Sequence, residues 1–572
     1  MVTSYNETSK TYYYEVNRSQ ISSNDNVVLK TQSDVDALAN SGVSIVNGDL
    51  IIGDNISDTE DVIKDLSALS NLTTVKQNIF IYSSFAGTSL KGLENIKTAS
   101  GLYIGSSSTT INTPNMIDVE LPSLKSLGSL VINSNTVKSI DLQSVEDIGY
   151  LSISAPHIES IDFASFANCH TDFIMNLSSS SDKIAEMNFP SLKSVGGIMT
   201  LNNYEVESME FPKLELIGSA LTIKYMSIWK NLSFPALKQI NGELFIQYMS
   251  SIESLSMPAL QTINGRLYCD FNYGRPSFKS LNFESLKEVL GQFSFYLSPN
   301  NEAESLSLPS LERVNSTITF QQTNNDNTNI KSIDLSSLKT VSNLTFYGLL
   351  GVEALDLSKC ESISQLSLIT MSELKNLKTP SVIGTFTINA GSREKAPINI
   401  DGLEEVTNTF DLTNMKGTES YTVASIKKIG TFRFTDSNLK SLSMPDLEEM
   451  KSLTIQTYGL ASLNMDKLKT ITADCTFTSI RDLTDDGLSF ASLKEIGGKL
   501  SISGYSTPVL TTLKGFAVLE TAGSVSISNM KNLVDFSALR SVADRLTTGW
   551  TTSGNGYNPT LSDMQNGKYI KE

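Results

Sequence analysis

The chain is poor in the residues that carry most chemistry. Among 572 residues there are four cysteines, two histidines and two tryptophans. Cys169, Cys269, Cys360 and Cys475 are each more than 80 residues from the next, so no zinc-ligand spacing is formed. His157 and His170 are the only imidazoles, and no H-E-x-x-H pair exists. The G-x-S-x-G elbow, the Walker loop and the EF-hand pattern are also missing. No apolar run approaches the roughly 18 residues of a membrane-crossing helix. Excess positive charge is lacking as well. The net charge of -17 argues against nucleic acid and anionic membranes, which both select a basic footprint. The start, MVTSYNETSKTYYYEVN, has neither a basic segment nor an apolar core, so a signal peptide is not expected there. Finally, almost no stretch holds a 3.6-residue period long enough for a helix.

What is present is repetition. FPALKQINGELFI, beginning at Phe234, returns 23 residues later as MPALQTINGRLYC, with the apolar positions kept. The pattern F/L-x-x-L-x-x-I-x-G-x-L-x-I can be followed from Leu50 to Val525 in 21 units. The mean period is about 24 residues, inside the range of solenoid repeats. In each unit L-x-I alternates, so two side chains point inward and the middle one outward. A second apolar stretch, such as SLSMPAL (Ser254 to Leu260), forms another wall. Prolines such as Pro235, Pro258 and Pro309 close that wall, where no ladder bond is lost. Gly218, Gly242, Gly265 and Gly291 precede the L-x-I strand at a corner that wants no Cβ.

One coil offers about six inward apolar side chains, worth roughly 1.5–3 kcal/mol each when buried. Ordering its residues costs roughly 1–2 kcal/mol apiece in backbone entropy. Single coils therefore cannot stand alone, and the fold class expected is an all-β, right-handed β-solenoid of about 21 coils. Residues 27–547 would form this solenoid, 1–26 a flexible tether and 548–572 a C-terminal cap. SDVDALAN (Ser33 to Asn40) reads as a short capping helix with Ser33 at its N-cap.

In this register the cysteines fill core slots. Coils repeat about every 4.8 Å, so they lie roughly 14 Å or more apart, beyond the ~7 Å Cα limit of a disulfide. Buried free thiols are expected. Cys169 and His170 are adjacent, and so point to opposite sides, which speaks against a nucleophile pair. The acidic stretches GDNISDTEDVIKD (Gly53 to Asp65) and NNDNTN (Asn324 to Asn329) lack the ordered spacing of a calcium loop and read as solvated turns. No catalytic residue, metal or cofactor is expected.

Function in a solenoid belongs to outward side chains. From Ser294 onward the middle position of L-x-I is mostly Ser or Thr, as an exposed β surface would be. Two departures stand out. Ile51, Phe80, Tyr103 and Val131 form an apolar run that TYYYEV (Thr11 to Val16) can cover. Mid-chain, Phe245 and Tyr268 adjoin Lys224, Gln247, Asp270, Tyr296 and Tyr347, with Trp229 and Tyr273 in nearby loops. These residues form a candidate platform for a sugar or a peptide. Tyr225, Tyr248 and Phe271 either join it or turn inward. Asp411 and Arg433 share the outward slot on consecutive coils and read as a surface ion pair.

L-x-x-I-x-G-x-L-x-I with S-L-x-x-P-x-L resembles the receptor L-domain type of leucine-rich repeat. LKTQSDVDALANSGVSIVNGDLIIG (Leu29 to Gly53) and GNGYNPTLSDMQNGKYIKE (Gly554 to Glu572) are similar to bacterial cell-surface lipoproteins of that type. The resemblance implies a lipid-anchored protein on the extracellular face of the outer membrane. It also implies a protein, peptide or glycan partner and an accessory place in an outer-membrane nutrient-uptake complex. One departure concerns the inward asparagine of ordinary leucine-rich repeats. Here that place holds Asn55, Asn135 and Asn272, but also Met226, Met249, Met371, Met415 and Met530, which favours a straighter β-helix over a horseshoe. The reading at this point is a non-enzymatic binding or adhesion protein. A carbohydrate-active enzyme on the same scaffold, or a purely structural rod, are the alternatives.

Overall fold

A computed structural model describes residues 2–6, 11–14, 21–23, 25–54, 61–105, 115–177, 184–203, 206–323, 328–391, 397–415, 417–435 and 438–571. It is an all-β parallel solenoid of about 21 turns with few helices. The chain divides into two compact units, Met1–Gly291 and Gln292–Glu572.

In the first unit the L-x-I segments stack in register. Leu221, Leu244 and Leu267 are successive partners, as are Ile223, Ile246 and Cys269. All six are fully buried. The second wall is made of shorter strands, such as Asn231–Ser233, Ser254–Ser256 and Ser280–Asn282. Between the walls lies a phenylalanine ladder. Phe189 and Phe211 stack at 5.1 Å, and Phe211 and Phe234 at 5.3 Å. These rings come from the F-P positions of three consecutive coils; at the next coil Met257 takes the slot and is equally buried. The glycine corner works by close approach: a Cβ on Gly218 would sit 2.0 Å from the carbonyl oxygen of Gly196. Any larger residue there would push neighbouring coils apart.

The second unit repeats the plan in longer strands. Arg313–Gln322, Thr340–Tyr347 and Ile363–Ile369 are parallel neighbours. Two short-strand sheets, of five and four strands, make its second wall. Charged side chains alternate along the coil corners: Lys427 faces Glu404 at 3.1 Å and Lys469 faces Glu448 at 2.6 Å. The first unit has the same device in Lys230–Glu253–Lys279. Each pair is exposed and adds little stability. Like charges in adjacent coils would still disfavour a slipped register.

In the first unit the ladder extends past the repeat. Val27–Leu29 pairs with Leu50–Ile52. Ile21–Ser23, inside the stretch expected as a tether, pairs with Val43–Val46. Val2–Asn6 and Thr11–Tyr14 form an antiparallel pair. The helix is Gln32–Ser41, and its N-cap is Thr31, two residues before the expected Ser33. Asp34 at the third helical position returns the bond to the Thr31 backbone, completing a capping box. In the second unit Trp550–Ser553 adds a strand to Thr521–Ser528. The indole Nε1 of Trp550 donates to the Pro559 carbonyl, which ties down the C-terminal segment.

The methionines in the asparagine slot (Met226, Met249, Met371, Met415 and Met530) are buried, whereas Asn135 is exposed. Asn55 lies outside the described residues, as do residues 55–60 of the first acidic stretch and 324–327 of the second. Glu15 and Val16 of the segment expected to cover Ile51, Phe80, Tyr103 and Val131 also lie outside them. Those four apolar residues are half-buried, and Phe80 stacks on Tyr103 at 5.0 Å.

Candidate functional site

The outward face of three consecutive coils in the first unit carries three parallel rows. Strand alternation sets the first two. Thr222, Phe245 and Tyr268 are register partners, and two residues on are Lys224, Gln247 and Asp270. The third row is set by the corner that ends each strand, where Tyr225 and Tyr248 follow.

In the first row Phe245 and Tyr268 stack at 4.8 Å with 10° between planes. Lys224 Nζ stands 4.5 Å from the Phe245 centroid. The Arg266 guanidinium stands 5.0 Å from Phe245 and 5.4 Å from Tyr268. Arg266 is itself held by Glu243, with Nε donating to Oε2 at 2.6 Å. In the second row Gln247 Nε2 donates to Asp270 Oδ2 at 3.3 Å, and the Tyr268 hydroxyl donates to the same oxygen at 3.4 Å. Asp270 Oδ1 accepts from the Asn272 backbone at 3.0 Å. In the third row Tyr225 and Tyr248 stack at 4.8 Å with nearly parallel planes, 4° apart. Tyr273 meets Tyr248 edge to face at 5.1 Å and is 61% exposed.

The backbone of the third row is unusual. Tyr225 and Tyr248 have φ of 59° and 60°, in the left-handed region. The equivalent corner, four residues after the first apolar residue of L-x-I, is also left-handed at Gly348, Thr370, Asn414, Ser479 and Asn529. Those are small or polar residues, of which glycine and asparagine tolerate the conformation best. A bulky aromatic there is strained by roughly 1–3 kcal/mol, and such outliers collect at functional sites.

Of the residues expected from the sequence, Phe245, Tyr268, Lys224, Gln247 and Asp270 are brought together. Trp229 is not: it is fully buried. It occupies the coil position that Ile252 fills one turn later, eight residues after the first strand leucine, and so packs inward. Beside it is a crevice of about 600 Å³ lined by Glu207, Ser208, Lys230 and Asn231. Phe271 is also buried, against Phe278 at 5.1 Å. Tyr296 and Tyr347 belong to the second unit, where Gln321 separates them by one register step on each side. The site also includes Tyr225, Tyr248, Tyr273 and Arg266; for Arg266 the spacing gave no sign.

The titrating groups fit the same picture. All four cysteines are free and buried. Burial pushes the Cys169 and Cys360 thiols up to about 12, and those of Cys269 and Cys475 higher still. Cys169 lies in the core, whereas His170 is exposed with Nε2 3.5 Å from Asp147. The two do not form a couple. Asp411 and Arg433 are register partners; burial raises the Asp411 carboxyl and Arg433 partly offsets this. Among the described residues no cluster of three or more potential metal ligands occurs. No helix among them is long and apolar enough to cross a membrane.

No family model matches the chain, and no curated protein does. Among solved structures it is similar to a leucine-rich repeat protein from Bacteroides ovatus ATCC 8483. That similarity has a TM-score of 0.22 and 15% identity, covering 63% of this chain and 87% of that one. The β-solenoid itself rests on the strand register described above.

Proposed function

We propose that this chain is a non-enzymatic recognition protein that binds a peptide or protein partner through the outer wall of its first unit. The observation that carries the reading is the pair of strained, stacked tyrosines, Tyr225 and Tyr248, beside the Phe245–Tyr268 stack. Two coils place a large ring where the other left-handed corners use small or polar residues. Stacking within the ladder turns ring faces toward one another, and Lys224 and Arg266 cover the Phe245–Tyr268 stack further. A sugar platform needs an open ring face, whereas a partner protein can pack against ring edges and pair with Lys224, Arg266 and Asp270. Tyrosine and arginine are also the side chains that dominate protein-binding hot spots.

Support for a non-enzymatic role comes from the acids. Glu215, Glu253, Asp446 and Glu448 are each bound to a lysine of the adjacent coil, which lowers their pKa. A glycosidase needs two carboxylates converging across a cleft, one of them with a raised pKa; Asp411 is raised by burial, but its register neighbours are Thr387 and Arg433 rather than a second carboxylate. The resemblance drawn from the sequence adds a setting: a lipid-anchored protein at the outer face of an outer membrane, accessory to nutrient uptake. Binding to peptide and glycan arrays, repeated with Phe245→Ala and Tyr268→Ala, tests the proposal. Peptide binding that both variants lose supports it. Peptide binding that both retain, or binding to glycans alone through this wall, refutes it.

A further inference from the structure

The second unit carries another aromatic cluster, in corners that follow the long strands Glu449–Gln456, Cys475–Ile480 and Glu495–Gly504. Tyr458 and Tyr505 each stand five residues past the leucine that opens L-x-I, Leu453 and Leu500, and are 42% and 55% exposed. Their rings lie 6.0 Å apart and tilted by 33°, so they are not closed on each other as the first-unit stacks are. Arg481, from the coil between, holds its guanidinium 5.0 Å from the Tyr458 centroid. Its Nε and Nη2 donate to the two carboxylate oxygens of Asp482 at 2.6 and 2.8 Å.

Backbone bonds hold the three corners together. Asp482 N donates to the Tyr458 carbonyl at 3.1 Å, Tyr505 N to that of Ile480 at 2.9 Å, and Val509 N to that of Arg481 at 2.8 Å. The cluster is therefore organised before any ligand arrives, which reduces the ordering cost of binding.

We infer that this cluster is a second binding site, and that it takes a neutral pyranose residue of a glycan. The Arg481–Asp482 pair sums to no charge, so it offers little attraction to a free anion or cation. It does offer hydrogen bonds of both senses. The fork leaves Arg481 Nη1 as a donor, and each Asp482 oxygen keeps acceptor capacity. Adjacent sugar hydroxyls, which donate and accept at once, match that pair. Arg481 covers one face of Tyr458, so the apolar C–H face of the sugar ring falls to Tyr505, which is 55% exposed. A peptide would match the tyrosines equally well but would leave the planar ion pair without a complementary diol.

The test is titration calorimetry of the whole chain with neutral hexasaccharides of the cello, malto, manno and xylo series. An oligogalacturonate serves as the acidic comparison. At least one neutral oligosaccharide should bind at up to ~10 mM, and Tyr458→Ala or Tyr505→Ala should weaken it at least ~10-fold. Thr319→Ala, at an outward strand position outside both aromatic clusters, should leave it unchanged. Should either alanine variant melt early, Tyr458→Phe and Tyr505→Phe keep the rings and should keep most of the affinity. The inference is overturned if no neutral oligosaccharide binds, if the acidic one binds better, or if ring removal has no effect.

Discussion

Replacing Tyr248 by Asn should lower stability only slightly while removing a ring from the proposed binding wall. Tyr248 holds φ at 60°, and Asn414 and Asn529 hold the same corner at 55° and 60°. Moving from a bulky residue to asparagine relieves about 1–2 kcal/mol of left-handed backbone strain. Against this, the variant loses the stack on Tyr225 and the edge-to-face contact with Tyr273, together worth about 1–3 kcal/mol. It also loses part of the ~1.5–3 kcal/mol of a fully buried large side chain, since Tyr248 is only half-buried. The relieved strain offsets about half of the loss, leaving a net cost of about 1–2 kcal/mol. In a chain of this length such a change moves the melting temperature by less than about 4 °C. Scanning calorimetry suits the assay, because a repeat protein is not safely two-state in denaturant. Phe189→Ala, which opens the buried ladder, should cost about 3–5 kcal/mol in the same experiment. If Tyr248→Asn proves as costly as Phe189→Ala, the ring is a structural element and the strain argument fails.

Other outcomes follow from the same structure. The native protein should not react with a thiol reagent at pH 8, because burial holds the four thiols protonated; all four should react once guanidinium unfolds it. Thermal stability should fall as pH drops below about 4.5. Glu215, Glu253 and Glu448 have folded pKa values below that ordinary value, so their lysine contacts help above it and are lost as pH falls through the folded values. High salt should blunt this dependence, since the pairs are exposed; a flat profile between pH 6 and 3 would contradict the role given to the charged ladders. Tyr421→Phe should stabilise by about 1 kcal/mol, because the Tyr421 hydroxyl is buried with no hydrogen-bond partner among the described residues. A lower melting temperature for this variant would mean that the hydroxyl is satisfied in solution.

The period of the repeat was legible because burial follows letter type so closely. Leu-x-Ile alternates buried and outward in nearly every coil, and each cysteine sits in a slot otherwise apolar. The outward pair Phe245 and Tyr268 was legible for the same reason. Past the strand, alternation stops and the corner dihedral decides where a side chain points. That is why Tyr225 and Tyr248 were ambiguous between core and surface, and why Trp229 was read outward although it shares the register of Ile252. A signal did exist for the tyrosines. Gly348, Thr370, Asn414, Ser479 and Asn529 mark the corner, and two tyrosines in that company are out of place. Arg266 left no such trace, because its position over two rings depends on the Glu243 contact across coils.

The most direct test of the recognition wall is a peptide-array profile of the wild-type chain against the triple variant Tyr248→Asn, Phe245→Ala, Tyr268→Ala, with both checked by calorimetry. A folded triple variant that has lost the wild-type peptide signals is the predicted result. A folded triple variant with an unchanged profile would contradict the account.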